Sequence, residues 1–223
     1  MIALAAMKTT SRLSRRLRHA GHSFIGDRRA VAAIEFAFIF PLALVLFFGT
    51  LDASTGLAAS RKVTLTASAL ADLTSEMPAN GNIAPIADSD MQNMFTAGIS
   101  IMNPYLQNSN PPFTAQISEI YTDQNNNTKI LWSRAATAAP GDTQASFVTS
   151  THGPGDTYVL PSALQIPQTY VILIEVNYGF VPVMSPSQAS VNLSDKAFSR
   201  PREATCLVYN GVPAVVNGKC PLT

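Results

Sequence analysis

The 223-residue sequence contains few charged residues and few of the residue types that usually carry catalysis or bind metals. Asp, Glu, Lys and Arg make up 13% of the chain, about half of the usual share in a soluble domain. It has two cysteines and three histidines, and His152 is the only histidine beyond residue 30. It lacks a phosphate-cradling glycine loop, a serine nucleophile elbow and a cluster of metal ligands. The sequence therefore predicts no catalytic residue, metal or cofactor, and leaves His152 with Asp156 as the remaining candidate for a catalytic pair.

The length and the distribution of charge limit the chain further. A chain of 223 residues holds one domain of ordinary size and an appendage, which leaves little room for two full catalytic domains. Residues 1–30 contain seven cations and one anion, whereas the rest contains eight cations and thirteen anions. The formal net charge of +1 gives no overall basic surplus of the kind that nucleic-acid binding requires. We predict a basic head, an acidic body and no nucleic-acid partner.

A long apolar run separates the head from the body. Residues 36–51 carry no charge, and the run reaches 21 residues when it is counted from Val31. A helix of about 20 apolar residues crosses the hydrocarbon core of a bilayer, and Pro41 is tolerated in such a helix. We predict one transmembrane span at residues 31–51. By the positive-inside rule, the preceding basic residues keep the amino end in the cytoplasm and place the body on the far side.

A cleaved secretory signal is an alternative interpretation of the same run. Such a signal has a basic start, an apolar middle and a small-residue exit, for which Gly56-Leu57-Ala58 is a candidate. The run is longer than the usual signal core of ~7–15 residues, and the residues directly after it form a poor small-x-small site. The sequence therefore favours a retained span.

Glu35 is an unusual residue for a plain membrane anchor. An ionisable group at the centre of a membrane helix costs about 2.5–3.5 kcal/mol on insertion scales, whereas a shallow carboxylate can reach the headgroups. Around it, Arg28-Arg29-Ala30 is followed by four small or apolar residues and then Glu35-Phe36, which resembles the type IV prepilin processing motif. The longer string AVAAIEFAFIFPLALVLFFGTLD, residues 30–52, resembles the amino-terminal segment of TadE/TadG-like proteins, the pseudopilins of the Flp (tight adherence) pilus system.

This resemblance implies a function and a set of partners. A membrane prepilin peptidase would cut between Ala30 and Val31, at a position where the family usually has glycine before the cut. Glu35 and Phe36 would take part in assembly of a Flp/type IVb adhesion pilus, in which the protein is a minor pseudopilin. The protein would lie in a bacterial inner membrane with its body in the periplasm. Its implied partners are the peptidase, other Flp/Tad pilus subunits, inner-membrane assembly components and membrane lipid.

The processing site and Glu35 are related through charge. Cleavage before Val31 removes the basic head and creates a positively charged amine in a region of low dielectric, where an unpaired charge is costly. Glu35 of a neighbouring subunit could pair with that amine and set the axial register of a helical bundle. The alternative from another class is an unprocessed, signal-anchored periplasmic binding or envelope protein, in which Glu35 has no role.

The body is predicted to be an α+β domain. An apolar stripe at helical spacing extends the membrane helix over residues 52–77, formed by Val63, Ala67, Leu70, Leu73 and Met77. A second helix is predicted from Ser89 to Met102, capped by Asp88 or Ser89, with its methionine-rich face in the core. A hairpin of residues 113–121 and 128–133, and strands at 170–178 and 204–209, are predicted to follow.

The predicted organisation has four parts. Residues 1–30 form a basic cytoplasmic leader, 31–51 the span, 52–77 a periplasmic extension of the helix, and 78–223 the periplasmic domain. A long amino-terminal helix followed by a small, mainly antiparallel sheet is an α+β plan. Pilins and pseudopilins share that plan.

Turns and a disulfide complete the predictions. Pro-Gly-Asp-Thr occurs at residues 140–143 and 154–157 and predicts two turns. A calcium site is the alternative, but two isolated aspartates supply too few oxygens for calcium.

Cys206 and Cys220 are predicted to form a disulfide in an oxidising compartment, which contributes ~3 kcal/mol by closing a loop of about fifteen residues. Free thiols or a metal site are the alternatives, but two cysteines alone do not make a zinc site. Arg200-Pro201-Arg202 resembles an Arg-Pro-Arg element that precedes a late cysteine in TadE-like sequences.

Overall fold

A computed structural model describes residues 28–184, 189–214 and 220 of the chain. The predicted leader, residues 1–30, lies outside this part except for its last three positions. The chain divides into two compact units, with the boundary between Leu51 and Asp52. The first unit contains the apolar run and the second contains the domain.

The secondary structure is that of an α+β protein, as predicted. Helix α1 spans Arg28–Ser75 and helix α2 spans Asp88–Met102. The strands are β1 (Ile83–Ile86), β2 (Phe113–Thr122), β3 (Thr128–Ala138), β4 (Ser146–Val148), β5 (Thr169–Phe180), β6 (Val191–Ser199) and β7 (Cys206–Tyr209). Five of them form an antiparallel sheet in the order β4-β3-β2-β5-β6, and β1 pairs with β7 in a separate parallel pair.

The apolar run forms the first part of α1. Its most apolar window of 18 residues has a mean hydropathy of 2.5 and contains no buried residue. Large apolar side chains point outward along it, including Phe36, Phe38 and Leu42. By length and composition, α1 can cross a membrane, and within the described residues it is the one helix that meets this test.

The second part of α1 packs into the domain along one stripe. Val63, Ala67 and Leu70 are buried as predicted, but Leu73 is 43% exposed and Thr74 is buried in its place. This correction follows from the helix period, because four residues separate Leu70 from Thr74. The Thr74 hydroxyl donates to the Leu70 carbonyl oxygen at 2.6 Å, which removes the cost of burying it. The helix ends at Ser75, two residues before the predicted end.

Helix α2 supplies the other helical part of the core. Its buried face contains residues that were predicted to be core: Met91, Met94, Phe95, Ile99 and Met102. The predicted cap is wrong, because Ala87 occupies the cap position and the Asp90 carboxylate accepts the Ala87 N–H at 3.0 Å. Gly98 allows close approach to α1, since a Cβ there would lie 3.3 Å from Cγ2 of Thr66.

The main sheet has a buried core on each face. Alternate residues of β5, such as Ile174 and Val176, join the core that includes α1 and α2. Val171 and Leu173 join a second core that includes Leu160. The long connection of residues 149–168 therefore folds over the face opposite the helices.

The predicted hairpin and the predicted strand at residues 170–178 are confirmed as β2–β3 and β5. The strand predicted at 204–209 exists as β7, but it pairs with β1 and lies outside the main sheet. Strand β6 was not predicted, because its sequence VNLSDKAFS is mostly polar. In the structure, Thr64 of α1 donates a hydrogen bond to Asp195 of β6 at 2.5 Å.

Both Pro-Gly-Asp-Thr copies form turns, as predicted. Asp142 Oδ2 accepts the Ala139 N–H at 2.8 Å, and Asp156 Oδ2 accepts the Gly153 N–H at 2.6 Å. The intervening glycines have positive φ angles of 89° and 90°, which a residue with a side chain rarely adopts. Each aspartate therefore closes its own turn.

Gly179 on β5 is expected to tolerate no side chain. A Cβ at this position would lie 2.3 Å from the carbonyl carbon and oxygen of Asn110, which are backbone atoms. We predict that Gly179→Ala lowers the free energy of unfolding by about 1–3 kcal/mol, the usual cost of overpacking. Urea denaturation of the full chain in detergent, followed by fluorescence of the single tryptophan, Trp132, measures this change.

Gly153→Ala is the matched control for that experiment. The nearest atom to a Cβ at Gly153 is Asp156 Oδ2 at 3.5 Å, an ordinary contact. We expect the control to stay within about 0.5 kcal/mol of the wild type. Equal stabilities of the two variants would contradict the prediction.

Candidate functional site

The predicted processing and assembly residues lie together at the start of α1. Ala30 and Val31 are in the first turn of the helix, and Glu35 follows one turn later. Val31, Glu35 and Phe36 are all exposed, and the Phe36 ring stacks on the Phe40 ring with their centroids 5.3 Å apart. This end of α1 therefore presents a carboxylate and aromatic rings on the helix surface.

The surroundings of Glu35 are apolar. Its neighbours one turn along the helix are Phe38 and Ile39, which are exposed. Among the side chains described for residues 31–51, none forms a hydrogen bond or ion pair with Glu35. In hydrocarbon, such a carboxylate gains from a partner of opposite charge.

A comparison with protein families gave a match that includes the start of α1. Residues 30–72 match the TadE-like protein family. The match confirms the predicted resemblance over the apolar run and the first part of the domain, about a fifth of the chain. Comparisons with curated proteins and with solved structures gave no match. The TadE-like segment, residues 30–72, thus contains Ala30, Val31, Glu35 and Phe36.

Within the TadE-like segment, Asp52 joins the domain part of α1 to the residues that follow β5. Its two carboxylate oxygens accept the backbone N–H groups of Val183 and Met184 at 2.8 and 2.9 Å. Sequence reasoning did not single out this residue, because its partners lie 131 and 132 positions away. The contact fixes residues 181–184 beside the first turn of the helix that belongs to the domain.

The far end of the TadE-like segment is held by the predicted Arg-Pro-Arg element. The guanidinium of Arg202 donates to Asp72 at 2.8 Å and to Glu76 at 2.7 Å, and its backbone N–H donates to the Ser75 carbonyl oxygen at 2.9 Å. The carbonyl groups in the last turn of a helix lack partners within the helix. Arg202 therefore satisfies one of them and fixes the end of α1.

The predicted disulfide is present between Cys206 and Cys220, whose Cα atoms are 6.0 Å apart. Cys206 is the first residue of β7, and both sulfurs lie in a cluster with the rings of Tyr121 and Tyr170. The bond attaches the chain near its carboxyl end to the two-stranded sheet.

Beside this cluster lies a buried carboxyl group that sequence reasoning missed. Glu119 of β2 is fully buried, and its oxygens accept the Leu207 N–H at 2.7 Å and the Trp132 indole N–H at 3.0 Å. Burial raises the pKa of Glu119 from 4.5 to about 8, although both hydrogen bonds act in the opposite direction. The available signal was its inward position in the alternation of Ile117, Glu119 and Tyr121. Glu119 connects β7 to the main sheet.

His152 does not pair with Asp156. Its Nε2 atom lies 2.8 Å from Oε2 of Glu175, and Nζ of Lys196 lies 2.6 Å from the other oxygen of that carboxylate. The hydrogen bond from Lys196 to Glu175 is the main cause of the raised pKa of Lys196. Glu175 therefore links the 149–168 connection to β5 and β6.

Neighbouring polar side chains extend this cluster through hydrogen bonds. The nearby Thr151 hydroxyl donates to Gln116 Oε1 at 3.0 Å, and the Gln116 amide donates to Glu175 at 3.3 Å. The adjoining cavity has a volume of about 180 Å³, below the ~300–1,000 Å³ of ordinary ligand sites. The contacts of Thr151 and His152 with Gln116 and Glu175 hold the 149–168 connection on the main sheet.

Proposed function

We propose that the protein is a minor pseudopilin that supports assembly of a Flp/type IVb adhesion pilus. The observation that carries this proposal is the TadE-like match over residues 30–72, a family of pilus-associated proteins. The match begins at Ala30, where the predicted cut lies, and includes Glu35 and the apolar run. The exposed Glu35 and Phe36 at the start of α1 support a role in contacts between subunits.

The proposed topology is a single span in a bacterial inner membrane. The basic leader stays in the cytoplasm and the domain lies in the periplasm, by the positive-inside rule. The disulfide between Cys206 and Cys220 supports an oxidising compartment for the domain. The proposed partners are a prepilin peptidase, other Flp/Tad pilus subunits, inner-membrane assembly components and membrane lipid.

Processing is proposed to create the assembly-competent form. Cleavage between Ala30 and Val31 leaves a positively charged amine on Val31, and Glu35 becomes the fifth residue of the mature chain. The Glu35 carboxylate of one subunit then pairs with the amine of its neighbour. In a low dielectric, this pairing satisfies two charges that are costly when they stay unpaired.

Intact mass and amino-terminal sequencing of the protein from its native membrane test the proposal. We expect a mature chain that starts at Val31 in cells with the prepilin peptidase, and an uncut chain without it. A start at Met1 or Met7 in both cases would instead support the unprocessed envelope protein. A start near Ala59 would show an ordinary secreted protein and would contradict both membrane proposals.

The unprocessed anchor is kept as a second candidate because of one departure from the family. This chain has Ala30 where the family usually has glycine before the cut. Extraction separates the two candidates, since a pseudopilin can leave the membrane in an assembly whereas an anchor keeps its basic head and stays.

A further inference from the structure

Among the described residues, those that directly follow β5 include exposed apolar side chains. Val183 is 81% exposed and Met184 is 46% exposed, and Val191 at the start of β6 is exposed as well. Single exposed apolar residues are common on protein surfaces. Here two of them are consecutive, and Val191 pairs with Phe180 directly before the turn.

Asp52 fixes the position of this turn along α1. The backbone N–H groups of Val183 and Met184 both lie within 2.9 Å of its carboxylate oxygens. Asp52 directly follows Leu51, the last residue of the uncharged run. When that run spans a bilayer, its last residue marks the level at which hydrocarbon gives way to headgroups. Because Val183 and Met184 contact Asp52, the residue next to Leu51 in the chain, they are expected to lie close to that level.

An apolar cleft opens beside the same turn. It has a volume of about 170 Å³ and is lined by Thr55, Pro104, Tyr105, Tyr178, Phe180, Val181 and Val183. The Tyr178 hydroxyl donates to the Tyr105 carbonyl oxygen at 2.7 Å. Both tyrosines line the cleft. Aromatic side chains are enriched where a protein meets the bilayer interface.

We propose that residues 181–184 and this cleft form a lipid-contact surface. Val183 and Met184 enter the boundary between headgroups and acyl chains of the leaflet on the domain side, while the Asp52 carboxylate stays at headgroup level, satisfied by the two N–H groups. The partner is the phospholipid bilayer itself. This inference rests on the membrane-spanning part of the proposed function.

A single labelled cysteine tests the contact in the full chain. Both native cysteines are in the disulfide, so Val183→Cys provides the one free thiol for an environment-sensitive fluorophore. The protein is reconstituted in phosphatidylcholine–phosphatidylglycerol vesicles with and without a lipid that carries a shallow spin-label quencher. Val159→Cys is the matched control, because Val159 is a valine that is 85% exposed in the 149–168 connection.

We expect the quencher to remove about half of the emission at position 183, as for a group at the ~5–10 Å depth of interfacial side chains, and almost none at position 159. Adding Asp52→Ala to Val183→Cys is expected to reduce the quenching to the level of the control. Equal quenching at 183 and 159 would overturn the lipid contact, and quenching at 183 that survives Asp52→Ala would overturn the positioning role of Asp52.

Flotation of the vesicles separates this inference from the function on which it rests. If the protein floats with the vesicles but position 183 is not quenched, the lipid contact is wrong and the membrane span stands. If the protein does not float, the membrane-spanning part of the proposed function is wrong, and the lipid contact is wrong with it.

Discussion

Glu35→Ala is expected to abolish co-purification of the protein with pilus subunits while leaving a mature chain that starts at Val31. The substitution removes the carboxylate that is proposed to pair with the amine of a neighbouring subunit. Removing one partner of a buried ion pair costs about 3–5 kcal/mol, because the other charge stays unpaired. That loss corresponds to a more than hundredfold weaker association. Affinity capture of the protein, with quantification of the subunits that come with it, measures the effect.

Two further variants make this result specific. Glu35→Asp keeps the charge on a shorter side chain, and we expect it to retain part of the association. Phe36→Leu keeps an apolar residue beside an intact Glu35, and we expect it to weaken association far less than Glu35→Ala. Unchanged co-purification of Glu35→Ala would count decisively against the pairing.

The second large effect concerns the pH dependence of stability. The carboxyl group of Glu119 has a pKa of about 8 in the folded protein, above its ordinary value of 4.5, because it is buried. Between these pH values the folded chain holds a proton that the unfolded chain releases. The part of the free energy of unfolding that comes from this bound proton is therefore fully present below about pH 4.5. It is lost as the pH rises to about 8, with a slope of up to about 1.4 kcal/mol per pH unit.

Urea denaturation of the full chain in detergent at several pH values from 5 to 8 measures this slope. Glu119→Gln replaces the titrating group by a neutral amide of the same size, and we expect it to flatten the dependence. The amide keeps one acceptor oxygen for the two N–H donors, so a loss of about 1–3 kcal/mol at pH 5 is also expected. Glu203→Gln, at an exposed position, serves as the control and should keep the wild-type slope. Equal slopes for the wild type and Glu119→Gln would refute the argument.

The local pattern of apolar residues was sufficient to predict those helices and strands that bury one continuous face. The period of the apolar residues predicted α2, and the alternation of residues 113–121 predicted the hairpin. Strand β6 has no such signal, because Ser194, Asp195 and Lys196 are polar, and it is placed by pairing with β5. Strand β1 contains Pro85 and pairs with β7, far along the chain. Neither strand has an apolar alternation of its own, and each is defined by the strand with which it pairs.

The same distinction applies to the candidate site. The TadE-like segment was recognisable because its pattern around Glu35 is contiguous in the sequence. Asp52, Glu119 and Glu175 were not recognised, since the structural role of each carboxylate depends on a partner that is distant in the sequence. Leu207, for example, lies 88 positions from Glu119. A carboxylate at an inward position of a strand was the one signal that could have pointed to Glu119.

The parallel pair of β1 and β7 has a consequence for the order in which an exported chain folds. Ile83 pairs with Cys206 and Ile86 with Tyr209, so two strands from opposite ends of the domain complete each other. In the proposed topology, the chain is threaded through the translocation channel with β1 ahead of β7. Strand β1 therefore stays unpaired until β7 has emerged, after nearly the whole domain. Contacts between distant parts of a chain form late and slowly, so in that topology the β1–β7 pair is expected to be completed only after β7 has emerged.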